Sequence, residues 1–176
     1  VLDSALKEAS SAGYVDVANY NSPQQVVITG DTQAVKKAGE ILLENGVKRF
    51  VELPVSGAFH SKYMKDAGSK FEIFVSDLNL KDAKIPVITN VDAQETVSAK
   101  DFEEKMPKQI YSSVHWTQTI QKMANNGVEI FVEIGPGKVL AGLNKKTVPD
   151  LKVFNIYDNA TLENTVNSLK ELLCEV

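Results

Sequence analysis

Cysteine is all but missing: Cys174 stands alone, so no internal disulfide can form and the chain fits a reducing compartment. With no base or basic cluster beside it in sequence, that thiol also lacks what a nucleophile requires. Two histidines, and no closely spaced Cys/His set, give no support to a zinc site or to any catalytic metal. No apolar run approaches the roughly 20 residues needed to cross a bilayer. The opening residues VLDSALKEAS lack the basic flank and apolar core of a signal peptide, so a cytoplasmic protein with no membrane partner is expected. Positive charge is not in excess either: the net charge is −4 and the lysines are scattered rather than interleaved with aromatics. That balance excludes nucleic acid as an expected partner and leaves any anionic ligand to a local basic patch. Fixed-period repeats and low-complexity stretches are absent.

What is present suffices for a folded core, since 43% of the 176 residues are hydrophobic. Leu2, Ala5, Leu6 and Ala9 recur at helical spacing until Gly13, and Val15 to Tyr20 and Gln25 to Thr29 read as paired strands about Asn21-Ser22-Pro23. Asp31 is placed to cap a helix with Val35, Ala38, Gly39 and Leu42 inward and Gly46 at its end. Arg49 to Val55 reads as the next strand. The order helix, strand, strand, helix, strand is a ferredoxin-like unit lacking its first strand, which makes the chain look like a piece of something longer.

From Ser61 a long helix is expected to bury Met64, Ala67, Phe71, Phe74, Val75 and Leu78. Beyond it the pattern alternates: strand Ile85 to Thr89, helices around Phe102 to Tyr111 and Trp116 to Asn125, strands Glu129 to Ile134 and Val153 to Tyr157, and a last helix from Thr161. The fold class is α/β. A boundary near Pro54 to Gly57 divides it into a small subdomain, 1–56, and a larger part, 57–176. The strands of the larger part are few for an open sheet and are expected to need partners from outside the chain.

His60 follows a strand and the turn Ser56-Gly57-Ala58-Phe59 at the mouth of a helix, where α/β folds expose side chains to ligands. A neutral imidazole there can serve as a general base, although a histidine so placed is more often an ordinary residue of a helix start or a satisfied surface group. His115 has a similar position at a later helix. Gly135-Pro136-Gly137-Lys138 lacks the Walker spacing and reads as a strand-to-helix turn.

Residues 17–30 (VANYNSPQQVVITG) and 53–61 (LPVSGAFHS) resemble blocks of malonyl-CoA:acyl carrier protein transacylases in order and separation. Asn90-Val91-Asp92, Gln109-Ile110-Tyr111, Val114-His115-Trp116 and residues 133–140 (EIGPGKVL) continue the resemblance. The resemblance implies that 57–176 is the C-terminal part of an α/β-hydrolase-like acyltransferase core. It further implies ping-pong transfer of malonyl, through a serine ester, from coenzyme A to the phosphopantetheine thiol of acyl carrier protein in fatty acid biosynthesis. Malonyl-CoA and the carrier protein are then substrates, and no cofactor is expected. His60 matches the family's catalytic histidine, and Gln109 the position whose backbone carbonyl holds the other ring nitrogen. Phe59 matches a position that selects malonyl over methylmalonyl, or else simply fills the turn. Lys48 and Arg49 match the edge of the thioester cleft, and Asn19 and Asn21 the pantetheine channel. A solvated basic pair and turn-forming asparagines are the plain readings of those four.

The resemblance stops short of the nucleophile. The family's Gly-His-Ser-Leu-Gly elbow, its Gly-Gln-Gly oxyanion segment and its malonyl-binding arginine do not occur, and no Gly-x-Ser-x-Gly is present. The chain alone is therefore expected to be inactive, with an N-terminal portion bearing the serine as its partner. Because the chain ends soon after its last helix, a free-standing enzyme is expected rather than a polyketide synthase segment. The alternative is a non-catalytic module that binds carrier protein or coenzyme A.

Overall fold

A computed structural model describes residues 1–55 and 57–174 of the chain. Ser56, the first residue of the expected turn, lies outside the described residues, as do Glu175 and Val176 at the end of the expected second domain. The chain forms two compact units, residues 1–21 with 25–116 and residues 22–24 with 117–176. The first unit runs across the 56/57 boundary expected from sequence.

In the first unit, α1 (Leu2–Ala9) leads through a 3-10 turn to β1 (Val15–Ser22), β2 (Gln25–Gly30) and α2 (Thr32–Glu44). Strands β1 and β2 share a two-stranded sheet. The core here is built of small residues: Ala9, Ala34 and Ala38 are fully buried with Val15, and Leu6, Ile28, Val35 and Ile41 close around them. Alanines on both helices let α1 and α2 approach closely, and apolar burial of about 25 cal/mol per Å² holds them there.

Asp31 occupies the N-cap position of α2, but its side chain does not cap the helix. Both carboxylate oxygens are taken from elsewhere: Oδ2 accepts the Tyr14 N–H at 2.8 Å and Oδ1 accepts the Tyr63 hydroxyl at 2.7 Å. The strand expected over Arg49 to Val55 does not form. Val51, Leu53 and Val55 are 50%, 54% and 67% exposed, and the Val55 N–H donates back to Leu53 O at 2.8 Å in a three-residue turn. A strand exists only through the backbone it pairs with, and Pro54 has no N–H to offer one. The segment is anchored instead by Phe50, whose ring lies where a side chain on Gly39 would stand; a Cβ there would meet it at 2.5 Å.

After His60, a 3-10 turn (Lys62–Met64) runs into α3 (Lys65–Ser76). The expected apolar stripe is only partly buried: Val75 is enclosed, whereas Ala67 is exposed and Phe74 is 60% exposed, stacked on Phe71. The strand expected over Ile85 to Thr89 shortens to β3 (Val87–Ile88), which pairs antiparallel with β4 (Glu95–Thr96). Asp92 organises the hairpin loop, accepting from the Thr89 hydroxyl and the Gln94 N–H and pairing with Lys105 at 2.9 Å. Helix α4 (Ala99–Lys108) packs on α3, capped at Ser98 and drawing to its end at Pro107.

The second unit contains α5 (Trp116–Asn125) from Thr117 onward, β5 (Ile130–Ile134), α6 (Val139–Thr147), β6 (Lys152–Ile156) and α7 (Asn159–Cys174). Strands β5 and β6 are parallel, Ile130 opposite Lys152 and Ile134 opposite Ile156, with α6 as their crossover. Glu133 fixes the turn into α6. Its carboxylate accepts the Leu140 and Ala141 N–H groups at 3.1 and 2.8 Å and the Asn155 amide at 2.7 Å. An anion already fills that helix start, so Gly135 to Lys138 is a turn and not a phosphate cradle.

Candidate active site

Helix α4 ends with carbonyls that no intrahelical N–H can reach, as every helix does. Beyond Pro107 the chain tightens: the Ile110 N–H donates to Pro107 O, and the Tyr111 and Ser112 N–H groups to Lys108 O. The carbonyls of Gln109, Ile110 and Ser112 face His60, which satisfies all three. Its backbone N–H donates to Ile110 O at 3.2 Å, and its Nδ1 lies 3.0 Å from Gln109 O and 3.1 Å from Ser112 O.

Two carbonyl oxygens at one ring nitrogen determine the tautomer. Carbonyls only accept, so Nδ1 carries the proton and donates to both, which leaves the Nε2 lone pair of the neutral ring available. The backbone bends to allow this: His60 has φ 57, in the left-handed region. For a residue with a Cβ that conformation costs about 1–2 kcal/mol. Two donors offset it, the backbone N–H on Ile110 O and the one Nδ1–H shared between two carbonyls, each contributing about 0.5–1.5 kcal/mol.

Ser61, beside the imidazole, is not a nucleophile in waiting. It is 1% exposed, its hydroxyl donates to Ala58 O at 2.6 Å, and its oxygen accepts the Tyr63 N–H at 3.3 Å, capping the 3-10 turn. The turn is held from its far side by aromatic contacts. Tyr63 meets Tyr14 edge-to-face at 5.2 Å and the Lys62 ammonium sits 4.1 Å above the Tyr14 ring. The hydroxyl of Tyr63 and the N–H of Tyr14 hold the Asp31 carboxyl below its usual range, and the same bond to Asp31 raises the Tyr63 hydroxyl.

Of the residues singled out from sequence, His60 and Gln109 are in direct contact. Asn19 is half-buried in β1, bridged to Val114 just beyond Ser112, and Asn21 lies two residues further on the same face of that strand. Phe59 is 57% exposed, with its ring against Gly57. Lys48 and Arg49 are exposed on the segment after α2, and neither is among the hydrogen-bond partners of His60. His115 stacks on Tyr20 with ring centroids 5.3 Å apart and donates its backbone N–H to Asn90 O. Sequence reasoning missed Ser112 as the second acceptor, and no local signal marked it: its carbonyl lies beyond the end of α4, where the helix supplies no further N–H.

A family model described as an acyl transferase domain matches residues 3–169. The malonyl CoA-acyl carrier protein transacylase of Bacillus subtilis is 42% identical over 165 residues, 94% of this chain and 52% of that protein. Among solved structures, a malonyl CoA-acyl carrier protein transacylase from Clostridium perfringens superposes with a TM-score of 0.93 at 35% identity, covering 99% of this chain and 56% of that one. A malonyl-transacylase in complex with its type II PKS acyl-carrier protein superposes at 0.91 with 35% identity, covering 95% and 54%. The chain spans about half the length of the relatives it matches.

Proposed function

The chain belongs to the acyl transferase domain family, and from that premise we propose that it supplies the general acid/base half of a malonyl-CoA:acyl carrier protein transacylase. The observation that carries the reading is the pair of carbonyls at His60 Nδ1, which leaves Nε2 free to take a proton. The nucleophilic serine comes from a portion outside these 176 residues, since no Gly-x-Ser-x-Gly is present. That portion also completes the sheet of an α/β-hydrolase-like core, while the smaller subdomain, 1–56, keeps the helix, two strands and helix of the ferredoxin-like pattern without its last strand.

Nε2 accepts the serine proton as the hydroxyl oxygen attacks the malonyl thioester. The imidazolium then protonates the departing coenzyme A thiolate as the tetrahedral intermediate collapses to the serine ester. In the second half-reaction Nε2 takes the proton of the carrier's phosphopantetheine thiol, the sulfur attacks the ester, and the proton returns to serine. The carbonyls of Gln109 and Ser112 stabilise the positive charge the ring gains each time, as an aspartate does in serine proteases. Phe59 limits room at the malonyl α-carbon. A difference of one methyl is worth about 1–3 kcal/mol, enough for preference and not for absolute selection. Asn19 and Asn21 line the pantetheine channel, and Lys48 and Arg49 meet coenzyme A phosphates or the acidic carrier.

The test is malonyl transfer from labelled malonyl-CoA to acyl carrier protein by a polypeptide in which the serine-bearing portion precedes this chain. His60→Asn, which tolerates the left-handed backbone, is expected to reduce transfer by about 10²- to 10⁴-fold, the range for a general acid/base. The 176-residue chain alone is expected to take up no label. Transfer undiminished in His60→Asn overturns the mechanism, and malonyl on the chain alone overturns the need for a second portion.

A further inference from the structure

Gln109 O is fixed by the helix that ends there, but Ser112 O belongs to the peptide that follows the Ser112 N–H bond to Lys108 O, and α4 holds no group of that peptide itself. Such a peptide turns by rotating about the bonds on either side of it, and the residue after it can arrest the rotation. Ser113 is that residue. Its hydroxyl donates to Val17 O of β1 at 2.6 Å, joining positions 96 apart in sequence. The next residue continues the attachment: the Val114 N–H donates to Ala18 O and the Tyr20 N–H donates to Val114 O, both at 2.8 Å. One edge of the loop is thus sewn to β1 while the other offers its carbonyls to His60.

We propose that Ser113 is a positioning residue for the acyl-transfer base: by tying the Ser112–Ser113 peptide to β1 it keeps Ser112 O on His60 Nδ1 and holds the ring as the Nδ1–H tautomer. Its importance for catalysis rests on the reading of His60 given above; its effect on the tautomer does not. Side-chain rotamers are few, and a serine whose oxygen is bonded 2.6 Å from a strand carbonyl is confined to one of them, which restrains the backbone that bears it. The backbone bonds on either side, from the Ser112 N–H to Lys108 O and from the Val114 N–H to Ala18 O, engage the neighbouring peptides and not peptide 112–113 itself.

The experiment is nitrogen NMR of the 176-residue chain labelled at histidine, in which the one- and two-bond ring couplings identify the protonated nitrogen of His60, with His115 as internal reference. The unmutated chain and Ser113→Thr are expected to hold His60 as the Nδ1–H form. In Ser113→Ala the ratio of Nδ1–H to Nε2–H is expected to fall about fivefold, the size of one neutral hydrogen bond, while His115 does not change. Ser113→Cys, a weaker donor of similar size, is expected to fall between them and serves in place of alanine if that variant fails to fold. A ratio unchanged in a folded Ser113→Ala or Ser113→Cys overturns the proposal. So does a threonine variant that shifts as far as alanine, or an unmutated ring found as Nε2–H. Failure of His60→Asn to affect malonyl transfer would refute the mechanism while leaving this result as it stands.

Discussion

At the scale of single residues, the turn that carries His60 is fastened by one carboxylate. Asp31 accepts from the Tyr63 hydroxyl and the Tyr14 N–H, and these bonds favour its charged form over the neutral one. Its folded pKa is depressed, so its contribution to stability is present above the unfolded value of about 3.9 and is lost as pH falls through the lower folded value. Tyr63 has the opposite sign. Its pKa is raised by the same bond, so that contribution is present below about 10 and is lost as pH rises through the folded value. Thermal melts of the chain between pH 7 and pH 2 are therefore expected to show an acid-side loss that Tyr63→Phe reduces. A variant with the unmutated acid dependence contradicts the role given to this pair. Asp92 adds to the same acid loss. Burial raises its pKa, but Lys105, the Gln94 N–H and the Thr89 hydroxyl together outweigh burial and hold it low.

At the scale of elements, two close approaches govern what the site can tolerate. A Cβ on Gly68 of α3 would stand 2.5 Å from the Tyr111 ring and 3.1 Å from Pro107 O. Tyr111 lies between the Ile110 and Ser112 carbonyls that hold His60, so the clash bears on the site and not only on packing. Gly68→Ala is expected to lower stability by about 1–3 kcal/mol, the usual cost of overpacking, and to raise the Nε2–H share of His60 in the histidine spectrum. A fully stable Gly68→Ala with an unmoved ring contradicts this. In the second unit, Glu133→Ala removes the acceptor for two N–H groups at the start of α6 and is expected to cost about 0.5–2 kcal/mol in urea unfolding. A midpoint unchanged by the substitution contradicts that assignment.

The elements that sequence made legible are those whose signal is local. The periodicity of α1, the apolar run of β5 and the glycines before α6 each declare themselves within a few residues, as does the hairpin turn, although it falls at Pro23 and Gln24 while Asn21 and Ser22, expected in it, belong to β1. The segment from Arg49 to Val55 alternates like a strand but has no backbone to pair with in the described residues, and alternation alone cannot supply one. Asp31 had the residue type and place of a cap, yet donors 17 and 32 residues away took its oxygens. Within the site, His60 stood out through the company of its motifs, and the Gln109 contact followed from the resemblance rather than from spacing. Ser112 and Ser113 did not stand out, because a backbone acceptor and a loop hydroxyl acquire their meaning only from a strand nearly a hundred residues earlier.

At the scale of the whole molecule, the chain is about half the length of the relatives it matches, and its sequence carries His60, the proposed base, without a serine elbow. The functional claim therefore concerns an imidazole that serves a nucleophile on another portion. Trapping the acyl-enzyme tests it most directly. A polypeptide uniting the serine-bearing portion with this chain is mixed with labelled malonyl-CoA, quenched at short times and assayed for malonyl-serine, then chased with acyl carrier protein, beside its His60→Asn counterpart. The account predicts that the variant forms the ester about 10²- to 10⁴-fold more slowly and passes it to the carrier thiol with a similar loss, since one imidazole serves both halves. Equal acylation and equal transfer in the two proteins would leave the family assignment in place and contradict the role of His60.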